Sequence, residues 1–335
     1  MTDLEGNITV GWIYRPPPFT DELLSSWLSR IAFSHRDSLI SFCKHEWPSN
    51  HFHYHDIDVL APKKLISTLV HKTAASRQEA AGSCLNTWDG LLYPQAMLGG
   101  KARFIMAAGA GAHICRSAGM QWCPECLLTD SIPYWRKVWR LSFITCCTVH
   151  SIRLADRCQD CGERAIPRRR ADTRCWSCLA DLRLHQRQKA HDEVIKFQLR
   201  LENQLSIPVA DGLEPLFKEL NQYEGFRALW TCFRLLAVSR ISNRLCEHID
   251  SVNNWNMSPR EASRQSNWRT EALGVNARHE AIRRLSYFQD NWPSNFIATC
   301  NAIRMNWSDF VRGSEYSGFP VRLQSMVESE FRRYG

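Results

Sequence analysis

Cys123-Pro124-Glu125-Cys126, Cys147-Thr148-Val149-His150, Cys158-Gln159-Asp160-Cys161 and Cys175-Trp176-Ser177-Cys178 follow one another along the chain. Each is a pair of soft ligands with two residues between them. That spacing lets one turn of backbone aim both side chains at the same ion, and two such turns complete a tetrahedron around zinc. Twenty residues separate Cys126 from Cys147, and 13 separate Cys161 from Cys175. Each gap has room for a hairpin that folds the second turn back on the first. Pairing consecutive turns therefore predicts two sites in series. The first uses Cys123, Cys126, Cys147 and His150, and the second uses Cys158, Cys161, Cys175 and Cys178. Interleaved pairing is the alternative, and Cys146 competes with Cys147, although only Cys147 keeps the two-residue spacing. Gly162 directly follows Cys161, as a tight metal-binding turn prefers. Four protein ligands leave no open position for water, so the expected zinc is structural, two ions per chain.

Outside these pairs and Cys146, the cysteines stand alone. The chain has 335 residues and 14 cysteines, with 44% apolar and 23% charged residues. That is an ordinary composition for a globular protein. Cys43, Cys84, Cys115, Cys232, Cys246 and Cys300 read as core residues. The opening MTDLEGNITV has early acids and no apolar run of the kind a secretory signal needs. A cytoplasmic location follows, where thiols stay reduced and clustered cysteines favour metal over disulfide.

The flanks carry a helical rhythm, which makes the predicted fold mainly α. Three parts are expected: a helical domain over 14–120, tandem zinc modules over 121–187, and a second helical domain over 188–335. Arg15-Pro16-Pro17-Pro18 reads as an extended entry. Thr20 suits an N-cap, with Asp21 and Glu22 at the positive end of the helix dipole. Leu23, Leu24, Trp27, Leu28 and Ile31 then recur at helical spacing. A break at 34–37 precedes Leu39, Ile40, Phe42 and Cys43, and Pro48 stops that second helix. Short helices over 62–71 and 74–84 follow. The arrangement is compatible with a helix-turn-helix unit. Further helices are expected around Val194–Leu205, Leu213–Leu220, Gly225–Leu245 and Ala277–Phe288, with a polar loop over 250–267.

Catalytic signatures fail one by one. Gly109-Ala110-Gly111 lacks the third glycine of a dinucleotide fingerprint, and Gly100-Lys101 lacks both flanks of a P-loop. His279-Glu280 lacks the second histidine of a zincin. The deaminase signature needs H-x-E upstream of P-C-x-x-C, whereas His191-Asp192-Glu193 lies downstream. A non-enzymatic role is expected.

Charge points to a polyanionic partner. The formal net charge is +8. Arg164, Arg168, Arg169, Arg170 and Arg174 crowd the second pair of zinc turns, and Arg283-Arg284 sits on an expected helix. Arginine on a small rigid module suits phosphate contact. These seven residues are the candidate contacts to nucleic acid or to a protein partner. Trp135 and Trp139 read as core filling for the zinc modules.

Several of these stretches together resemble the TniQ/TnsD family. They are Arg15-Pro16-Pro17-Pro18-Phe19 with Asp21-Glu22-Leu23-Leu24-Ser25-Ser26-Trp27-Leu28-Ser29-Arg30, then Trp122-Cys123-Pro124-Glu125-Cys126-Leu127 and Pro133-Tyr134-Trp135-Arg136. Cys147-Thr148-Val149-His150 leading through Leu154 to Arg157-Cys158-Gln159-Asp160-Cys161-Gly162 completes the pattern. Thr148 stands where many relatives have proline, which disturbs no ligand. The resemblance covers about 15–180. It implies a helix-turn-helix domain followed by zinc-ribbon-like modules, in a bacterial target-selection adaptor of DNA transposition. Such adaptors contact DNA and an AAA+ transposition ATPase of the TnsC/TniB type. In CRISPR-associated transposons they also sit, as a dimer, on an RNA-guided Cascade-type complex. The chain is shorter than family members with long site-specific DNA-binding extensions. The alternative is a free-standing, zinc-dependent, sequence-specific transcription regulator.

Overall fold

The computed structural model describes residues 11–52, 55–92, 104–108, 119–166, 172–206, 215–256 and 270–314, together with Pro320, Gln324 and Glu328. The described residues are mainly helical and fall into two units. One comprises Met1–Asp89, Tyr93–Leu141 and Ala155–Arg187, and the other Gly90–Leu92, Ser142–Leu154 and Gln188–Gly335.

The first unit opens with α1 (Leu24–Ser34) and α2 (Leu39–Glu46), joined by a turn in which Arg36 is left-handed at φ 60°. Trp27, Leu28 and Ile31 of α1 and Phe42 and Cys43 of α2 are buried together with Trp12 and Trp47. The Ser38 hydroxyl caps α2 by accepting from the Ser41 N–H. Short helices α3 (Ile57–Leu60), α4 (Lys63–Lys72) and α5 (Arg77–Gly82) complete this layer. A reciprocal Ser76/Glu79 capping box starts α5. Helix α6 (Pro124–Thr129) follows in the cysteine region.

Thr20 does not cap α1. The helix begins at Leu24, where the Leu23 and Leu24 N–H groups donate to Trp135 O and Ser83 O. Backbone carbonyls distant in sequence thus satisfy donors that a local cap would otherwise serve. Glu22 is released from the dipole role and is completely buried.

In the second unit, α7 (Asp192–Ser206), α8 (Gln222–Ala237), α9 (Ser242–Val252), α10 (Val275–Asp290), α11 (Ser294–Ala302) and α12 (Trp307–Ser314) pack around α8 and α10. The single helix expected over 225–245 is two, because the chain breaks at Val238–Ile241. The expected helix at 213–220 is absent from 215–220, which form a turn that buries Leu216 and Phe217. Residues 213 and 214 lie outside the described residues. Of the expected loop at 250–267, Asp250–Val252 belong to α9 and 257–267 lie outside the described residues. Strands β1 (Cys146–Cys147) and β2 (Ile152–Arg153) pair antiparallel, with Cys147 opposite Ile152. No described helix is long and apolar enough to cross a membrane.

Candidate metal centres

Three of the four ligand pairs share one backbone design. The Cys158 N–H donates to Glu163 O at 2.8 Å, and the Gly162 N–H donates back to Cys158 O at 2.9 Å. Cys175 repeats this with Ala180 O at 2.7 Å and the Leu179 N–H at 3.1 Å. In the third, β1 and β2 flank the turn from Cys147 to His150. The residue after the second ligand is left-handed each time: Ser151 at φ 55°, Gly162 at 73° and Leu179 at 68°. Only one of the three is the glycine that the conformation favours.

The fourth pair is helical. Cys123 is the N-cap of α6, Pro124 occupies the first position, and Cys123 Sγ accepts from the Cys126 N–H at 3.4 Å. Proline fits there because its missing N–H would have had no helical partner. Trp122, Trp135 and Trp139 are buried nearby in the same unit and meet edge to face at 6.3 and 5.9 Å. The hairpin expected between Cys126 and Cys147 is not formed. That gap holds α6 and a turn of 3-10 helix at Lys137–Arg140, and the hairpin flanks the Cys147–His150 turn instead.

These turns yield two clusters among the described residues, one of Cys123, Cys126, Cys147 and His150, the other of Cys158, Cys161, Cys175 and Cys178. Within each, the four ligand atoms lie within 4.8 Å of one another. A zinc tetrahedron with bonds of about 2.3 Å to sulfur and 2.0 Å to nitrogen sets edges of roughly 3.8 Å between sulfurs and 3.5 Å between sulfur and nitrogen. The donor spacing fits. Cys158 Sγ is 3.6 Å from Cys178 Sγ, Cys161 Sγ is 3.6 Å from Cys175 Sγ, and Cys147 Sγ is 3.5 Å from His150 Nδ1. Burial pushes the Cys158 and Cys175 thiols up. A bound divalent cation reverses that by taking the thiolate outright. Both clusters can hold a metal ion through four protein donors, with soft ligands of the kind zinc takes.

The arginine candidates separate. Arg164 is buried, 3.3 Å from Asp156, and Arg284 donates twice to Asp250 at 2.8 and 2.7 Å. Neither presents its guanidinium to solvent. Arg283 lies over the Trp255 ring at 4.4 Å and 3.3 Å from Glu193. Arg174 is exposed, and Arg168, Arg169 and Arg170 lie outside the described residues.

Other arrangements had no signal in local spacing. Glu22 accepts from the Phe19 N–H, the Ser26 hydroxyl and both Nε and Nη2 of Arg30. Arg30 covers Phe19, Phe19 stacks on Tyr134, and Arg136 covers Tyr134. Arg30 Nη2 and Trp27 Nε1 also donate to Pro17 O and Pro16 O. The extended proline entry is thereby bound to α1. Arg140 is fully buried between Asp56 and Asp58. In the second unit, His279 is fully buried, 3.1 Å from His191 and 3.0 Å from the Thr145 hydroxyl.

The site defines a class: a mainly helical protein with two cysteine-rich, four-donor clusters able to hold metal ions. The TniQ family model matches residues 13–154. The match spans 142 of the 335 residues, and over that stretch the chain is similar to a TniQ domain. TniQ domains are found in proteins that select targets for transposition. No curated protein matches the chain.

Proposed function

We propose that the protein is a target-selection adaptor of DNA transposition, with no chemical step of its own. It holds two structural zinc ions, one on Cys123, Cys126, Cys147 and His150, the other on Cys158, Cys161, Cys175 and Cys178. It contacts DNA and links a target recogniser to an AAA+ ATPase regulator of the TnsC/TniB type, which engages the transposase. The helix-turn-helix-like part is 14–120, the zinc-bearing part 121–187 and the second helical part 188–335. The recogniser is an RNA-guided Cascade-type complex or the protein itself, and a homodimer forms in the assembly.

The observation that carries the reading is the TniQ match over 13–154. Two four-donor clusters support its structural side, because neither leaves a ligand position for water or substrate. The test is reconstitution. Purified protein should retain an AAA+ transposition ATPase on DNA, and should fail to do so when Cys126→Ser or Cys178→Ser removes a ligand. Nanomolar binding to a single operator, with no ATPase retained, would move the protein to the transcription-regulator class. Addition of a Cascade-type complex then distinguishes guided from unguided recognition, and light scattering reads the dimer.

A further inference from the structure

The two clusters differ in how their donors meet solvent. Cys123, Cys126 and Cys147 are 0%, 4% and 7% exposed. In the other cluster, Cys158 and Cys175 are buried at 3% and 1%, but Cys161 and Cys178 are exposed. The exposed cysteine is the second ligand of its turn both times. Each lies 3.6 Å from a buried sulfur of the opposite turn.

Oxidation of cysteine follows thiolate character and access. Metal-bound sulfurs in both clusters are thiolates, so access separates the two. We propose that the Cys158/Cys161/Cys175/Cys178 centre is a redox-responsive zinc site. A hydroperoxide releases its ion by oxidising Cys161 or Cys178, while the Cys123/Cys126/Cys147/His150 centre keeps its own. The inference rests on the zinc reading above.

The chemistry balances with the peroxide as oxidant. The Cys161 thiolate attacks one peroxide oxygen, the O–O bond breaks, and a sulfenic acid and hydroxide form. A second thiolate attacks that sulfur, a disulfide forms, and a second hydroxide leaves. Two protons convert the hydroxides to water. The four sulfurs already lie within 4.8 Å of one another, so a bond near 2.05 Å needs only a small local shift. Two of four ligands are then gone, and the remaining pair no longer holds the ion. A thiol reductant restores the ligands.

Elemental analysis of the full chain first counts zinc. Hydrogen peroxide is then added in a few equivalents, with a chromogenic chelator reporting released ion. One zinc per chain should appear in a fast phase and the other should stay. Disulfide mapping should find a bond among Cys158, Cys161, Cys175 and Cys178, with Cys123, Cys126 and Cys147 reduced. Dithiothreitol plus zinc should reverse the loss. The double variant C161S/C178S should lack the fast phase. If that variant fails to fold, the map on the unaltered chain decides alone. Release of both ions in one phase, release of neither, or first oxidation at Cys123, Cys126 or Cys147 overturns the inference. Fewer than two zinc before peroxide removes the zinc reading instead, and the inference with it.

Discussion

Glu22 is a carboxylate with no exposed surface, bonded to Arg30 at 2.6 Å and to the Phe19 N–H and Ser26 hydroxyl. Removing one partner from a buried pair leaves the other charge without compensation, which costs about 3–5 kcal/mol. Glu22→Ala should destabilise the first unit by that amount in denaturant titration. Because Ser26 also accepts from the Trp135 N–H, the loss should spread to the backbone at Trp135 and change its fluorescence. Gly162 poses the opposite case. Its φ of 73° is left-handed, yet an added Cβ would meet nothing within 4 Å. The cost of Gly162→Ala is therefore conformational alone, about 1–2 kcal/mol, and zinc content should stay unchanged. A loss of zinc equal to the loss of stability would show that the side chain obstructs the ligands.

At the scale of the element, legibility follows sequence distance. The ligand turns were readable because a two-residue spacing carries all their information. Helices α1, α2, α4, α7 and α10 were readable from the period of their apolar residues. The Val238–Ile241 break was not, since Val238 and Ile241 keep the helical spacing and no proline or glycine marks it. Nor was the start of α1, whose donors find Trp135 and Ser83. Buried charge behaves likewise: Arg140 meets Asp56 and Asp58 only through the fold. Helix α10 offers a test of this hidden layer. Burial, with the charges of Arg153, His191 and Arg283, pushes His279 down to about 2. Glu280 of α10 and Glu193 of α7 add the negative charge around its partner His191. The folded chain keeps His279 neutral, whereas the unfolded chain protonates it below pH 6.5. Its contribution is thus present above pH 6.5 and fades as pH falls. By pH 5 the loss should reach about 2 kcal/mol. His279→Gln should flatten that part of the stability profile. The ring-proton resonances of His279 should not move between pH 7 and 5, and a midpoint within that range would contradict the assignment.

For the whole molecule, a net charge of +8 bears on DNA binding only through basic side chains that reach solvent. Arg164 and Arg284 are held in internal ion pairs, so they act on stability. Arg157 and Arg174 are exposed, and each directly precedes the first cysteine of its turn in the Cys158/Cys161/Cys175/Cys178 cluster. Every phosphate neutralised on duplex DNA contributes about 0.9 to the slope of log affinity against log salt. If this module faces the backbone, R157A/R174A should lower that slope by roughly 1.8. Binding should weaken by a similar factor on unrelated sequences, because phosphate contacts carry no base information. Arg164→Ala should lower the melting temperature and change the slope little in the fraction that remains folded. Affinity titrations at several salt concentrations give the slopes and affinities, and thermal denaturation gives the melting temperature. A slope unchanged in the folded double variant would take these two arginines off the DNA surface and leave the excess charge to other parts of the chain.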